Sequence, residues 1–378
     1  MKIILAPDSF KESMTAKEAC EVIERGMKKI IPDLECISVP MADGGEGTTQ
    51  SLVDATGGEF YTQRVLGPLG ESVEARFGIL GDGKTAILEM AAASGLELVP
   101  KEKRDATVTT TYGTGELIKA ALDKNVETIL IGIGGSATND GGAGMIQALG
   151  GKLLDSCGKE IGFGGGQLSN LCKIDLSNLD KRLEKTKIIV ACDVQNPLTG
   201  VSGASHIFGK QKGANEEQRE LLDKNLKHYA EIIRRDVGKD VENIPGAGAA
   251  GGLGAGLMAF LSAELKKGIE IVIEYSKLEE KMQGADLVIT GEGSIDAQTR
   301  FGKTPYGVAM TAKKYGIPVI ALAGNVGKDI DVLYEYGFTA IFSILPRVES
   351  LEKAILNGKE NLQYMSESIA RMVKYYTK

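Results

Sequence analysis

Short apolar runs alternate with helical stretches at both ends of this 378-residue chain, and neither end holds enough strands for a sheet of its own. Near the start, Lys2 to Ala6 reads as a short buried strand and Cys36 to Pro40 as a second apolar run that forms the next strand. Thr15 to Ile31 has helical spacing and opens on a capping box, Thr15 with Glu18 three residues on. Thr48 to Ala55 can also be helical. From Ala285 the rhythm returns, with strands over Leu287 to Thr290, Pro318 to Ala321 and Thr339 to Ile344. Helices fall between them, roughly Thr304 to Tyr315 and Lys328 to Tyr336, and about Glu349 to Tyr376 reads as one amphipathic helix. Such alternation indicates an open parallel α/β sheet. Two strands, or three, are too few to stand alone. The economical solution joins the ends: residues 1–60 and 281–378 form one discontinuous five-stranded domain, and residues 61–280 are inserted as a second.

The inserted stretch begins differently. Tyr61 to Leu66, Val73 to Leu80 and Thr85 to Met90 alternate and are separated by Gly67-Pro68-Leu69-Gly70 and Gly81-Asp82-Gly83, which predicts an antiparallel meander. A helix around Gly115 to Asp123 leads into an apolar strand, Thr128 to Ile133. A dense small-residue loop follows, from Gly134 to Gly144. Residues 187–192, KIIVAC, form another buried strand that ends at Asp193. A charged amphipathic helix over Asn215 to Arg235 precedes GAGAAGGLGAG (246–256) and a mostly apolar helix to about Leu265.

In an open parallel sheet, ligands bind beyond the carboxyl ends of the strands. Four segments reach that edge: PDSFK (7–11), ADGGEG (42–47), TGEGSIDAQT (290–299) and AGN (323–325). Each taken singly could be a tight turn, with Asp and Gly chosen for turn geometry; four converging on one edge point to a site. The loop after Thr128 to Ile133 is read as a phosphate cradle. Gly134 and Gly135 allow close approach, and Ser136, Thr138 and Asn139 add neutral donors ahead of the helix read from Ala143. No Lys follows in the GxxxxGK[ST] pattern, so this is not a Walker loop. The alternative is a glycine loop that permits close helix packing, and for GAGAAGGLGAG packing and phosphate contact stand level.

Only two histidines are present, whereas carboxylates crowd the loops. A carboxylate can take the proton of an alcohol attacking a phosphoryl group, and others can hold Mg²⁺. Asp193, directly after its strand and before Asn196-Pro197, is the foremost single candidate. Lys11 and Lys303 lie inside polar motifs, where a small carboxylate or a phosphate needs a point charge.

The net charge of -7, the absence of Trp and the 5% aromatic content disfavour a nucleic-acid partner. Five cysteines without a CxxC pair read as reduced thiols in a cytoplasmic protein. The apolar run before Asp8 is too short for an export signal, and no apolar stretch is long enough to span a membrane.

Taken together, APDSFKES, MADGGEGT, EMAAASGL, YGTGELI, GIGGSATNDGGAG, ACDVQNPL, FGKQKGA, GAGAAGGLGAG and TGEGSIDAQTRFGKTPYGVA resemble the successive signature blocks of type I glycerate kinases, from about residue 4 to 345. The resemblance implies a Rossmann-like domain split in sequence, a mixed α/β domain inserted, and an active site in the cleft between them. It implies phosphorylation of D-glycerate by ATP with Mg²⁺, generally to 2-phosphoglycerate, by a monomer or homodimer. On this reading Asp8, Ser9, Lys11, Asp43, Glu292, Asp296 and Lys303 engage glycerate. Gly134, Gly135, Ser136, Thr138 and Asn139 hold the ATP phosphates. Asp193, Lys11 and Asp8 are the catalytic candidates, and Asp193 and Asp296 the candidates for metal. The rivals are another hydroxy-acid enzyme with a nucleotide cofactor, disfavoured because PDSFKES lacks dinucleotide-binding glycines, and a sugar-acid binding protein of similar architecture.

Overall fold

Ile3, Ile4 and Leu5 are wholly buried, as expected of a strand covered on both faces of a parallel sheet. Each such side chain contributes about 1.5–3 kcal/mol on leaving water. In the computed structural model, which describes residues 1–376, they belong to strand β1 (Lys2–Leu5). The other strands, in chain order, are β2 (Glu35–Ser38), β3 (Glu59–Leu66), β4 (Ser72–Ile79), β5 (Thr85–Glu89), β6 (Thr128–Gly132), β7 (Lys152–Leu154), β8 (Lys173–Asp175), β9 (Lys187–Ala191), β10 (Glu264–Lys266), β11 (Leu287–Ile295), β12 (Val319–Val326) and β13 (Ala340–Ser343).

The fold is mixed α/β, in two units: Met1–Gly57 with the chain from Ile269 onward, and Gly58–Gly268. The first unit holds a sheet of order β13-β12-β11-β1-β2, parallel at every pair. Helices Gly268–Tyr275 and Leu278–Met282 go with this unit, so its second segment begins at Ile269 and not near 280. The reason is packing. Ile269 lies so close to Gly307 that a Cβ there would come within 2.2 Å of it, and Ser276 Oγ faces Met41 Sδ at 3.8 Å.

The helix Ala16–Ile30 carries the expected Thr15/Glu18 capping box and lies against the helix Gly358–Tyr376. Gly26 makes that approach possible, because a Cβ would sit 2.7 Å from Gln363 O. The C-terminal stretch is two helices, Leu351–Leu356 and Gly358–Tyr376, where one was expected. Gly358 abuts Ser13 too closely for any side chain, and Ser13 Oγ donates to Ile355 O at 2.8 Å.

Two strands also run further than their apolar residues suggest. β11 and β12 continue through the polar segments, pairing Glu292 with Ala323 and Ser294 with Asn325. Ladder hydrogen bonds satisfy the backbone whatever the side chains, and Gly291 is needed because a Cβ would come within 2.2 Å of Leu322 O.

The second unit holds a sheet of order β10-β9-β6-β5-β4-β3. Its β3, β4 and β5 are the expected antiparallel meander, and β5, β6, β9 and β10 run parallel. β10 stands where the apolar helix was expected to continue. That helix, Leu253–Leu261, stops at Ser262, whose φ is 51°. Among the described residues no helix is long and apolar enough to cross a membrane.

Candidate functional site

In the first sheet β1 is followed by β2 on one side, while β11 is followed by β12 on the other. The chain therefore diverges at the carboxyl ends of β1 and β11, which is where open α/β sheets bind ligands. The pairing of these strands continues past β1: Ala6 N donates to Ile289 O and Asp8 N to Gly291 O, each at 2.8 Å. That register sets Asp8 beside the segment carrying Glu292.

Four carboxylate and ammonium side chains respond to one another here. Asp8 accepts from Ser9 N at 2.6 Å and from the Thr304 hydroxyl, the first residue of helix Thr304–Lys314. Burial pushes its carboxyl up to about 6; the Thr304 bond opposes the rise, and the like charge of Asp43 adds to it. Burial pushes Glu292 up to about 7, against the pull of Lys303 and with Asp8 and Asp43 adding. Lys303 Nζ lies 3.2 Å from Glu292 Oε1 and donates to Ser294 O at 3.2 Å. Asp43 accepts from Gly45 N at 3.0 Å in a tight turn. Carboxyls held near neutral pH beside a lysine can bind a small acid and exchange a proton with it.

Lys11 is exposed, at the tip of a turn closed by hydrogen bonds between Phe10 and Met14. Asp296 is engaged otherwise: it caps the turn Ala297–Phe301, accepting from Gln298 N at 2.8 Å. Asp193 belongs to the other unit. It is exposed and accepts from Gly268 N at 3.2 Å.

In the second unit the loop after β6 is pinned by Leu96 N to Gly135 O and by Ala137 N to Ser94 O, at 2.8 and 2.9 Å. Gly134 and Gly135 are exposed, whereas Ser136, Thr138 and Asn139 are buried. The helix that follows, Ala143–Ala148, does not offer its N-terminus to a ligand, because Asp140 fills it. That wholly buried carboxylate accepts from Thr111 N and Oγ1, both at 2.9 Å. It also accepts from Gly142 N at 3.1 Å and Gly144 N at 3.2 Å. Burial nonetheless raises its pKa. The part of the loop left open to solvent is thus Gly134-Gly135, with Ser136 buried directly after it.

The 246–256 run serves packing. Gly251 O accepts from Gly141 N at 3.0 Å, and a Cβ on Gly251, whose φ is 67°, would meet Thr138 O at 2.0 Å. Thr304 and Lys212 escaped sequence reasoning as site members, and Asp140 counted there only among the loop carboxylates. Lys212 is 1% exposed and donates to Ser136 Oγ at 2.7 Å and Thr138 O at 2.6 Å. Nothing in the spacing of FGKQKGA marks one of its two lysines as buried.

Among the described residues no three His, Cys, Asp or Glu side chains form a group that could hold a metal ion. Mg²⁺ held by one or two carboxylates, with phosphates supplying the rest, would need no such group.

A model of the Glycerate kinase family matches residues 3–374 of the chain. The chain is similar to the glycerate 2-kinase of Escherichia coli (strain K12), 57% identical over 370 residues that cover 98% of this chain and 97% of the relative. It is similar to the glycerate kinase of Bacillus subtilis (strain 168), 56% identical over 374 residues, covering 99% and 98%. The crystal structure of a putative glycerate kinase 2 from Salmonella typhimurium LT2 superposes with a TM-score of 0.92 at 51% identity, covering 100% of this chain and 99% of the other.

Proposed function

This chain belongs to the glycerate kinase family and is a kinase, and on that premise we propose that it transfers the γ-phosphoryl group of ATP to the 2-hydroxyl of D-glycerate. The C2 oxygen forms a bond to the γ-phosphorus, the bond from that phosphorus to the β–γ bridging oxygen breaks, and ADP leaves. The hydroxyl proton passes to a carboxylate. Such a transition state is loose and highly charged, so catalysis rests on positioning and on cations around the transferred group. Mg²⁺ bound with ATP would supply part of that charge, held by the phosphates and by Asp193 or Asp296.

The observation that carries the reading is the Asp8, Glu292 and Lys303 group at the switch point of the first sheet. Lys303, Lys11 and Ser9 supply donors for the glycerate carboxylate and hydroxyls. Asp8, near 6, is charged at neutral pH yet basic enough to accept a proton, the balance general-base catalysis favours. In the second unit the Gly134–Ser136 turn offers an exposed glycine backbone to the ATP phosphates. Regiochemistry follows the Escherichia coli relative, whose name specifies the 2-kinase.

A coupled ADP-release assay tests the substrate. D-Glycerate should raise turnover far above the ATP-only rate, while D-lactate, which keeps the C2 configuration and lacks the C3 hydroxyl, should not. Phosphorus NMR should show the 2-phosphate ester; a 3-phosphate ester would remove the regiochemical part. Comparing Asp8→Asn with Asp193→Asn assigns the proton acceptor, and a larger loss in kcat for folded Asp193→Asn would move that role to Asp193.

A further inference from the structure

A lysine ammonium carries three N–H donors and no acceptor. Where Lys212 Nζ meets Ser136 Oγ at 2.7 Å, the ammonium form donates and the serine accepts. The serine's own hydroxyl hydrogen is thereby turned away from the lysine. We propose that Lys212 is the positioning residue of the phosphate-binding turn: from beneath, it ties Ser136 to the Thr138 carbonyl and leaves the Ser136 hydroxyl to donate to a nucleotide phosphate. This rests on the reading of Gly134–Ser136 as the phosphate site.

Two further features support it. Thr138 Oγ1 and Asn139 Oδ1 are buried without a hydrogen-bond partner, so this loop carries polar capacity that its own fold does not use. Buried polar groups are rarely left so unless something else engages them. Lys212 itself is buried without a carboxylate bonded to it. The charged groups acting on it reduce to Asp140, which favours the ammonium against burial, and the net effect lowers its pKa to about 7. A buried cation held at such a disadvantage, its ammonium bonded only to Ser136 and Thr138 of this loop, is better explained by a ligand of opposite charge than by stability. A polyphosphate at the turn supplies that charge and draws the lysine toward its ammonium form.

The test is steady-state kinetics of the full-length enzyme with Lys212→Met, together with Lys212→Gln in case the first does not fold, and with Ser136→Ala alone and combined with Lys212→Met. Thermal melting must show each variant folded. The expected result is a KM for ATP raised about tenfold or more, with the KM for glycerate within about twofold of wild type. The double variant should be no worse than Lys212→Met alone, since both act through one hydroxyl. An unchanged KM for ATP in a folded Lys212 variant, or fully additive losses, overturns the proposal. Hydrogen exchange on the wild-type enzyme separates the two readings. If an unreactive ATP analogue fails to protect the amides of 134–140, the phosphate site lies elsewhere and this inference falls with it. If it protects them while Lys212→Met is kinetically silent, only the role of Lys212 is lost.

Discussion

Asp8 and Thr304 stand 296 residues apart in sequence, and the Thr304 hydroxyl donates a hydrogen bond to the Asp8 carboxylate. The contact joins the turn after β1 to the first turn of a helix, whose N-terminal dipole favours a nearby anion. A carboxylate held charged in this way, yet raised by burial, sits between structural and chemical use.

Asp8→Asn separates the two. A carboxyl whose folded pKa is raised lowers stability: the penalty is absent below the unfolded value of 3.8, grows as pH rises, and is complete above about 6. At about 1.36 kcal/mol per pH unit the penalty is at most about 3 kcal/mol. At pH 7 the variant should therefore melt no lower than wild type, while kcat falls by about 10²–10⁴. A lowered melting temperature with kcat intact would make Asp8 purely structural.

The acid side of the pH profile reads the same groups. With Asp8 near 6 and Glu292 near 7, kcat/KM for glycerate should decline as pH drops through that range. Lys303 holds Glu292 down, so Lys303→Met should shift the upper part of the decline to higher pH. A profile flat between pH 5 and 8 in the wild-type enzyme would exclude both carboxyls from the rate.

Lys11→Ala should act chiefly on substrate binding. An exposed ammonium reaching a three-carbon acid contributes a charged hydrogen bond of about 1.5–3 kcal/mol to ground and transition state alike. The KM for glycerate should rise accordingly with kcat little changed. A rise confined to the KM for ATP would move Lys11 to the nucleotide side.

Asp140→Ala is a stability experiment. It leaves four donors, from Thr111, Gly142 and Gly144, without their acceptor. Each buried group so left costs about 1–3 kcal/mol, so urea unfolding should show a loss of at least about 3 kcal/mol. An unchanged midpoint would mean that water replaces the carboxylate and that the loop is open.

Local rules were enough for much of this protein. The Thr15 capping box, the charged helix that starts after Asn215, the meander of β3 to β5, and the two incomplete sets of parallel strands at the chain ends all follow from patterns within a few residues. So does the clustering of Asp, Gly and Lys at strand ends, which singled out Asp8, Asp43, Glu292 and Lys303. What local pattern could not supply depends on partners distant in sequence. β11 and β12 run through Gly, Ser and Asn because each ladder satisfies the other, a gain invisible in either segment alone. Asp140 reads as one more loop carboxylate until Thr111 and the following helix close over it. Lys212 has an exposed neighbour of the same type, Lys210, and only packing decides which is buried. The pKa values near neutrality come last of all, since desolvation and the approach of like charges exist only once the chain has folded.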